Sequence, residues 1–322
     1  MKKALFTNCS FSDEDIKILK ENGVEVKKAD ADLSEDKLIE ELQDCNYYII
    51  GGTDKATKKV IESTKLDLII FYGTGYENYV DVETANKLNI PVANTPKANA
   101  YTVAEHAVAM VLDAVKQITY LNNTTKDGQW LRRQTWNLEN KTIGIVGMGT
   151  IGSTIARIMQ NAFKMKVLYV SREKKEEVEK ELGAEKVDLE TLFSKSDVVS
   201  INASYNDQTV NMIGEAQLSK MQPHAVLACT SRAELIDPKA LKEALDTNKL
   251  AVAAFDVYYQ EPAPKKEDDK WGLLSLPDNK FVITPHTAYG SKEAMQNMND
   301  MTIENIISYQ KDSKAKYQVN LK

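Results

Sequence analysis

Short apolar runs and amphipathic segments alternate along this chain in two successive trains. In the first, residues 1 to about 95, the runs Lys3–Thr7, Val24–Lys28, Tyr47–Ile50, Leu66–Phe71 and Pro91–Asn94 read as strands. A helix is predicted after Ser12, its N-cap, and is stopped by Gly23. A second spans Ser34–Cys45, and a third is capped by Asp81 and runs to Leu88. Glycines close the third and fourth strands, as Gly51-Gly52 and Gly73-Thr74-Gly75. Strands alternating with helices imply a parallel sheet covered by helices on both faces.

Ala100 to about Thr125 reads as one long apolar-rich helix, carrying Ala104, Ala107, Val108, Met110, Val111 and Leu112. The polar stretch 122–140, with Gly128 and Trp130, reads as a linker or arm. A second alternating train then begins with a strand at Thr142–Val146, a glycine turn and a helix over Ser153–Phe163. Further strands are predicted at 166–170, 197–201, 225–229, 250–255 and 281–283. Residues 258–280 form a long loop with Pro262, Pro264 and a run of Lys, Glu and Asp, and a last helix covers roughly 291–311. No internal repeat or low-complexity tract interrupts the pattern. The fold class expected is α/β, with two doubly wound parallel sheets in two domains, which also fits a length of 322 residues.

Composition narrows the partners. The chain is 43% hydrophobic and 27% charged, ordinary for a globular protein. Its 41 basic against 47 acidic residues give a net charge of -6, which opposes phosphate backbones and anionic lipid. Neither nucleic acid nor membrane is expected as a partner. Cys9, Cys45 and Cys229 are far apart and odd in number, with no metal-ligand spacing, so neither a disulfide framework nor a metal site is expected. A reducing, cytoplasmic location follows. Met1–Phe6 opens with charge like a secretory leader, but the apolar run stops at Thr7-Asn8, and no leader is expected.

The strongest chemical signal is Gly147-Met148-Gly149-Thr150-Ile151-Gly152, a G-x-G-x-x-G after a strand and at the head of an apolar helix. In that context the first glycine permits a tight turn, the second lets the backbone approach a pyrophosphate, and the third lets helix pack on strand. The helix N-terminus then offers free N–H groups to phosphate. At the end of the next strand an NAD site usually places an acid on the ribose. Here Ser171-Arg172 stand instead. They read either as a 2′-phosphate site, making NADP(H) the preferred cofactor with NAD(H) second, or as a helix N-cap followed by an exposed Arg.

The chain has three histidines. His106 lies inside the apolar helix and reads as structural, and His224, after Pro223, as a loop residue. His286, in Thr284-Pro285-His286, follows a strand of the second train, where open parallel sheets place their ligands. Arg232 and Glu261 follow strands of the same train.

These segments resemble the D-isomer-specific 2-hydroxyacid dehydrogenases over essentially the whole chain. The matching stretches are Gly73–Asn78, Val103-Ala104-Glu105, the glycine turn, Thr230–Asp237, Phe255-Asp256-Val257 through Glu261-Pro262, and Thr284-Pro285-His286. The resemblance implies a Rossmann cofactor domain over 100–285, inserted into a flavodoxin-like substrate domain made of 1–99 and 286–322. It implies an active site in the cleft between them, and a homodimer formed through the cofactor domain. It makes Arg232, Glu261 and His286 the catalytic set, acting on a small 2-oxo acid and D-2-hydroxy acid pair. Asp256 is implied as the partner of the nicotinamide carboxamide, Thr230 as a further cofactor contact, and the backbone N–H groups of Thr74 and Gly75 as part of the substrate-carboxylate site. The chemistry agrees: a bidentate Arg suits a carboxylate. A His held by a carboxylate on one ring nitrogen can deliver the proton that follows hydride to the carbonyl.

Departures from the pattern are Ala233 where the family usually has Gly, Cys229 where it has Asn, and Asn202-Ala203-Ser204 where a His-x-Pro is common. The Tyr169–Arg172 stretch looks nearer the glyoxylate/hydroxypyruvate reductase branch than the NAD-specific lactate branch. Two other readings share the fold. Oxidation of another small anion is one; formate needs no His–carboxylate pair and is disfavoured by Glu261 and His286, whereas phosphite fits a similar triad. The other is a non-enzymatic nucleotide-sensing regulator like the C-terminal-binding corepressors, against which stands the expectation of no interaction tail after the last predicted helix.

Overall fold

The computed structural model describes residues 1–30 and 33–321. Lys322, the last residue of the expected substrate domain, lies outside the described residues. The chain forms two compact units, Met1–Asn99 with Gly290–Lys322, and Ala100–Tyr289. The return to the first unit thus falls after Tyr289 rather than after residue 285. The reason is local: the N–H groups of His286, Thr287 and Ala288 are all held by Asp256, which binds this segment to the second unit.

In the first unit the strands are β1 (Lys2–Thr7), β2 (Val24–Ala29), β3 (Tyr47–Ile50), β4 (Leu68–Phe71) and β5 (Val92–Ala93), all parallel, in the order β2-β1-β3-β4-β5. This is the flavodoxin-like order. β3 and β4 are buried on both faces, which explains why their sequences are apolar runs rather than alternations. Ser12 caps the helix Asp13–Glu21 through a capping box with Asp15, as its position before an amphipathic run predicts. The next helix is shorter than expected, Glu35–Leu42 with Ser34 as N-cap. A further helix, Lys58–Glu62, is too short for periodicity to reveal. The last helix, Lys292–Asp312, brings Asn305 against this sheet, where it donates to Asn94 O at 3.0 Å and accepts from Tyr317 N at 2.8 Å.

The second unit carries β6 (Thr142–Val146), β7 (Lys166–Val170), β8 (Glu185–Lys186), β9 (Val198–Ile201), β10 (Val226–Cys229), β11 (Val252–Phe255) and β12 (Phe281–Ile283). The order β12-β11-β10-β9-β6-β7-β8 is parallel throughout. It is the Rossmann order with one more strand at the end away from β8. Apolar clusters cover both faces: Val111, Ile143, Ile145 and Tyr169 on one, Phe193, Ile201, Leu241 and Phe255 on the other. β8, two exposed residues, has no apolar signature and lies outside the strands predicted from the sequence.

The expected single helix from Ala100 to Thr125 is two helices, Ala100–Lys116 and Ile118–Lys126. Gln117 is left-handed at φ 56, and the Asp113 carboxylate takes both the N–H and the hydroxyl of Thr119, at 2.7 and 2.8 Å. Burial stops at Val115 and is absent in the second helix, so no core face holds the two in line. Among the described residues no helix is long and apolar enough to cross a membrane, and no cluster of His, Cys, Asp or Glu could hold a metal ion.

Candidate active site

Because the second sheet is parallel, all its strands deliver their C-terminal loops to one edge. Between β6 and its neighbour β9 the chain reverses direction across the sheet, and the loops after these strands flank the crevice. The three glycines of the turn after β6 differ as their roles require. Gly147 has φ 96, and a Cβ there would sit 2.6 Å from Ala203 N and Asn202 C, in the loop after β9. A Cβ on Gly152 would lie 2.2 Å from Gly147 O and 2.9 Å from Ile145 Cγ2, so helix and strand touch through this glycine. On Gly149 a Cβ would meet nothing within 4 Å. The open cradle over Gly149, the N-cap of the helix Thr150–Phe163, is where a pyrophosphate fits, against the unpaired first-turn N–H groups. Met148 points its side chain into the core and Ile151 packs partly against it, so both face a ligand only with backbone. Thr150 is exposed beside them.

Asn202 was not singled out for chemistry by its sequence. Its amide donates to Ser200 O and Oγ, and its Oδ1 is buried without a partner. Beside the glycine turn, this unpaired acceptor fits a donor from a bound dinucleotide. The signal available was its place directly after β9, against Gly147, visible only once β6 and β9 are neighbours.

At the end of β7 Ser171 donates its hydroxyl proton to Glu173 O. It does not cap a helix; the next helix, Glu176–Leu182, has Lys175 at its N-cap. Arg172 is exposed and makes no ion pair among the described residues, while Glu173 stands 3.4 Å from Lys175 Nζ.

The three candidate catalytic groups come from the adjacent strands β10, β11 and β12. Arg232 follows β10 after half-buried Thr230, and its side chain reaches only Ser231 O, at 2.9 Å. No carboxylate among the described residues pairs with it, so its charged fork is left for an anion. Glu261 lies in the loop after β11. This loop is ordered by Asp269, which accepts from Tyr258 Oη at 2.6 Å, Trp271 N at 3.1 Å and Leu274 N at 2.9 Å. Glu261 Oε1 accepts from Tyr258 N at 3.0 Å, and Oε2 meets His286 Nδ1 at 2.6 Å, a distance typical of a charge-assisted bond. Burial pushes the Glu261 carboxyl up. The His286 hydrogen bond and charge, Tyr258 N–H and the nearby Arg232 charge outweigh it and hold the group below its ordinary value. Both side chains are about one-third exposed, at 31% and 33%, and His286 Nε2 has no partner among the described residues. The pair can therefore present a proton outward at Nε2 while Glu261 fixes the ring.

His286 is left-handed, φ 50, which costs a non-glycine residue roughly 1–2 kcal/mol. Asp256 holds it there. Asp256 O accepts from His286 N at 2.7 Å, Oδ1 from Thr287 N at 2.9 Å and Oδ2 from Ala288 N at 2.8 Å. Thr284 Oγ donates to Oδ1 at 2.6 Å. The Asp256 side chain is 1% exposed, and its remaining acceptor position is on Oδ2.

In the first unit Thr74 and Gly75 follow β4. Thr74 O accepts from Asn94 Nδ2 at 2.9 Å, and no acceptor among the described residues takes the N–H of Thr74 or Gly75. Two free donors in succession suit a carboxylate.

Residues 108–288 match the family model of the D-isomer specific 2-hydroxyacid dehydrogenase NAD-binding domain. A glyoxylate reductase of Korarchaeum cryptofilum is 34% identical over 319 residues, covering 97% of this chain and 94% of that protein. The chain belongs to the D-isomer specific 2-hydroxyacid dehydrogenases. It is accordingly a nicotinamide-dependent oxidoreductase of 2-oxo and 2-hydroxy acids. Among solved structures, an acyclic imino acid reductase, Bsp5, in complex with NADPH and D-Arg is 30% identical, with a TM-score of 0.85 over 99% of this chain and 100% of that one. The D-lactate dehydrogenase of Lactobacillus jensenii with NAD+ is 26% identical, with a TM-score of 0.80 over 100% of both chains. The dehydrogenase chemistry is thus the family's, and neither a regulator nor a phosphite enzyme is among these relatives.

Proposed function

We propose that this enzyme is an NADP(H)-preferring reductase of small 2-oxo acids of the glyoxylate or hydroxypyruvate type, with Arg232, Glu261 and His286 as its catalytic residues. The observation that carries the residue assignment is the 2.6 Å Glu261–His286 pair, whose Nε2 has no partner among the described residues, beside an Arg that no carboxylate among the described residues pairs with. When bound, the nicotinamide supplies a hydride to the carbonyl carbon. His286 then gives the Nε2 proton to the carbonyl oxygen, and Glu261 stabilises the charged ring that precedes this transfer. Arg232 binds the carboxylate and polarises the carbonyl; in the first unit, the N–H groups of Thr74 and Gly75 are by themselves donors suited to a carboxylate. Gly147 to Gly152, Thr230 and Asn202 hold the dinucleotide. Asp256 serves the carboxamide only through its one open Oδ2 position.

Residues 100–285 serve as the cofactor domain and residues 1–99 with 286–322 bind substrate, a reading supported by the compact unit Ala100–Tyr289. A homodimer through the second unit is supported by the arm after Lys126, where Trp130 is 80% and Leu131 41% exposed. A cytoplasmic enzyme is supported by three free cysteines.

Support for NADP(H) is the missing acid at Ser171 and Arg172, exposed and without an ion pair among the described residues. The test is kcat/KM with NADPH and NADH for glyoxylate, hydroxypyruvate, pyruvate and branched 2-oxo acids, with and without an amine to form the imine. NADPH and the two smallest oxo acids should be preferred. Arg172→Ala should weaken NADPH by roughly 1.5–3 kcal/mol, the worth of a charged hydrogen bond, and leave NADH nearly unchanged. Preference of the natural enzyme for NADH, or for an imine, would overturn the corresponding part.

A further inference from the structure

We propose that His106 is a positioning residue for the proton donor, acting through Thr284 and Asp256. The inference rests on the assignment of His286 above. Nothing in the sequence separates His106 from its apolar helix, Ala100–Lys116. In the structure its Nε2 lies 3.0 Å from Thr284 Oγ and 3.5 Å from Asp256 Oδ1.

The direction of these bonds follows from proton counting. Thr284 has one hydroxyl proton, and it goes to the Asp256 carboxylate at 2.6 Å. Thr284 Oγ can therefore only accept from His106, so the ring carries its proton on Nε2. His106 thus ends a chain of donors that converges on one buried carboxylate: ring N–H to hydroxyl, hydroxyl to Oδ1, then the N–H groups of Thr287 and Ala288.

The chain matters because of what Asp256 does next. Its carboxylate holds the two amides that follow His286, and its carbonyl holds the amide of His286 itself. These contacts keep His286 left-handed, and the ring direction toward Glu261 depends on that backbone. Without the His106 N–H to hold its oxygen, the Thr284 hydroxyl is free to rotate away from Oδ1, and a buried carboxylate that loses that donor must rotate or recruit water to recover it. Either response disturbs the amides of 287 and 288 before it disturbs anything in the cofactor turn. Removing the His106 ring should consequently lower turnover without loosening the cofactor.

The test compares His106→Ala, His106→Gln and each of them combined with His286→Ala, in the full-length enzyme. His106→Ala should lower kcat by about 10- to 100-fold, the scale of a misplaced reacting group, with KM and NAD(P)H affinity changing little. His106→Gln, which keeps an N–H near the Nε2 position, should recover most of kcat. With His286 already replaced, His106→Ala should add no further loss, because its effect runs through that ring. A second readout needs neither cofactor nor substrate: backbone amide exchange at Thr287 and Ala288 should rise about tenfold in His106→Ala and return in His106→Gln. Should His106→Ala not fold, Thr284→Val against Thr284→Ser provides the same comparison. Unchanged exchange, unchanged kcat, or an equal loss in the His286→Ala background would overturn the role of His106. Failure of the natural enzyme to reduce any 2-oxo acid would instead overturn the substrate reading, and the exchange comparison would still decide this one.

Discussion

The glycine turn offers a test in which two single methyl groups should have opposite consequences. The perturbations are Gly149→Ala and Gly152→Ala. At Gly149 the backbone is φ -82, ψ -162, an extended conformation open to any residue, and the added Cβ meets no protein atom within 4 Å. Alanine is a poorer N-cap than glycine, costing about 0.5–1 kcal/mol. Reduced freedom of the unfolded chain offsets this by about 0.4–1 kcal/mol. Folding stability should then stay within about 1 kcal/mol of the natural protein. The methyl group does, however, fill the space over the first-turn N–H groups. Loss of one charged hydrogen bond to phosphate, roughly 1.5–3 kcal/mol, would weaken both NADH and NADPH by about 10- to 150-fold.

At Gly152 the same methyl would lie 2.2 Å from Gly147 O and 2.9 Å from Ile145 Cγ2. The first is a backbone atom that a rotamer change cannot move. The helix must separate from β6, and overpacking of this kind costs about 1–3 kcal/mol, here toward the upper end. Denaturant midpoints and fluorescence titration with each dinucleotide measure both effects. Gly149→Ala should keep its midpoint and lose binding; Gly152→Ala should lose its midpoint. Wild-type affinity in Gly149→Ala would refute the placement of the pyrophosphate, and a wild-type midpoint in Gly152→Ala would refute the packing argument.

Two further outcomes follow from the charged pair and the free arginine. Glu261→Gln should lower kcat for reduction, because a neutral amide no longer fixes the His286 ring through the 2.6 Å contact at Nδ1; an unchanged kcat would count against the pairing. The same variant tests stability: the folded carboxyl is held below its unfolded value of about 4.3, so the pair's contribution is present above that pH and fades as pH falls through the folded pKa. Natural enzyme and variant should therefore converge in urea midpoint as the pH is lowered below about 4, and parallel curves would contradict this. Arg232→Ala should cut kcat/KM by about 10- to 150-fold or more, and Arg232→Lys should recover only part, since Lys lacks the planar fork; full activity in the Lys variant would remove Arg232 from the site.

Much of this was legible in the sequence because the relevant signals are local. Ser12, Ser34 and Asp81 cap helices where they precede amphipathic runs, and β3, β4 and β10 are apolar runs because both their faces are covered. The G-x-G-x-x-G works through three positions of one turn, and its strand–turn–helix context is also local. What failed needed tertiary information. The break at Gln117 is set by Asp113 reaching forward to Thr119, and the apolar pattern upstream gave no sign of it. β8 is a strand only because Leu168 and Tyr169 pair with it. Ser171 stands where a helix cap could sit, yet its proton goes to Glu173 O and the helix starts later.

Asp256 shows why residue roles resist sequence reading even when the residue is noticed. Its position after β11 marks it for the site, but the same carboxylate could face a ligand or the protein. Counting decides how much is left over. A carboxylate has about four acceptor positions. Thr284 Oγ and Thr287 N take Oδ1, and Ala288 N takes one side of Oδ2. A left-handed His286 costs roughly 1–2 kcal/mol, and hydrogen bonds of about 1 kcal/mol each from three consecutive amides are enough to offset it. The carboxylate is therefore committed first to shaping the backbone that carries the proton donor. Any contact with a cofactor is added to that task through a single lone pair. Asp256→Asn makes the order of these tasks visible, since an amide keeps one acceptor oxygen but turns a nitrogen toward the N–H of Thr287 or Ala288. If shaping comes first, turnover should fall by more than cofactor affinity does; a loss confined to affinity would reverse the order.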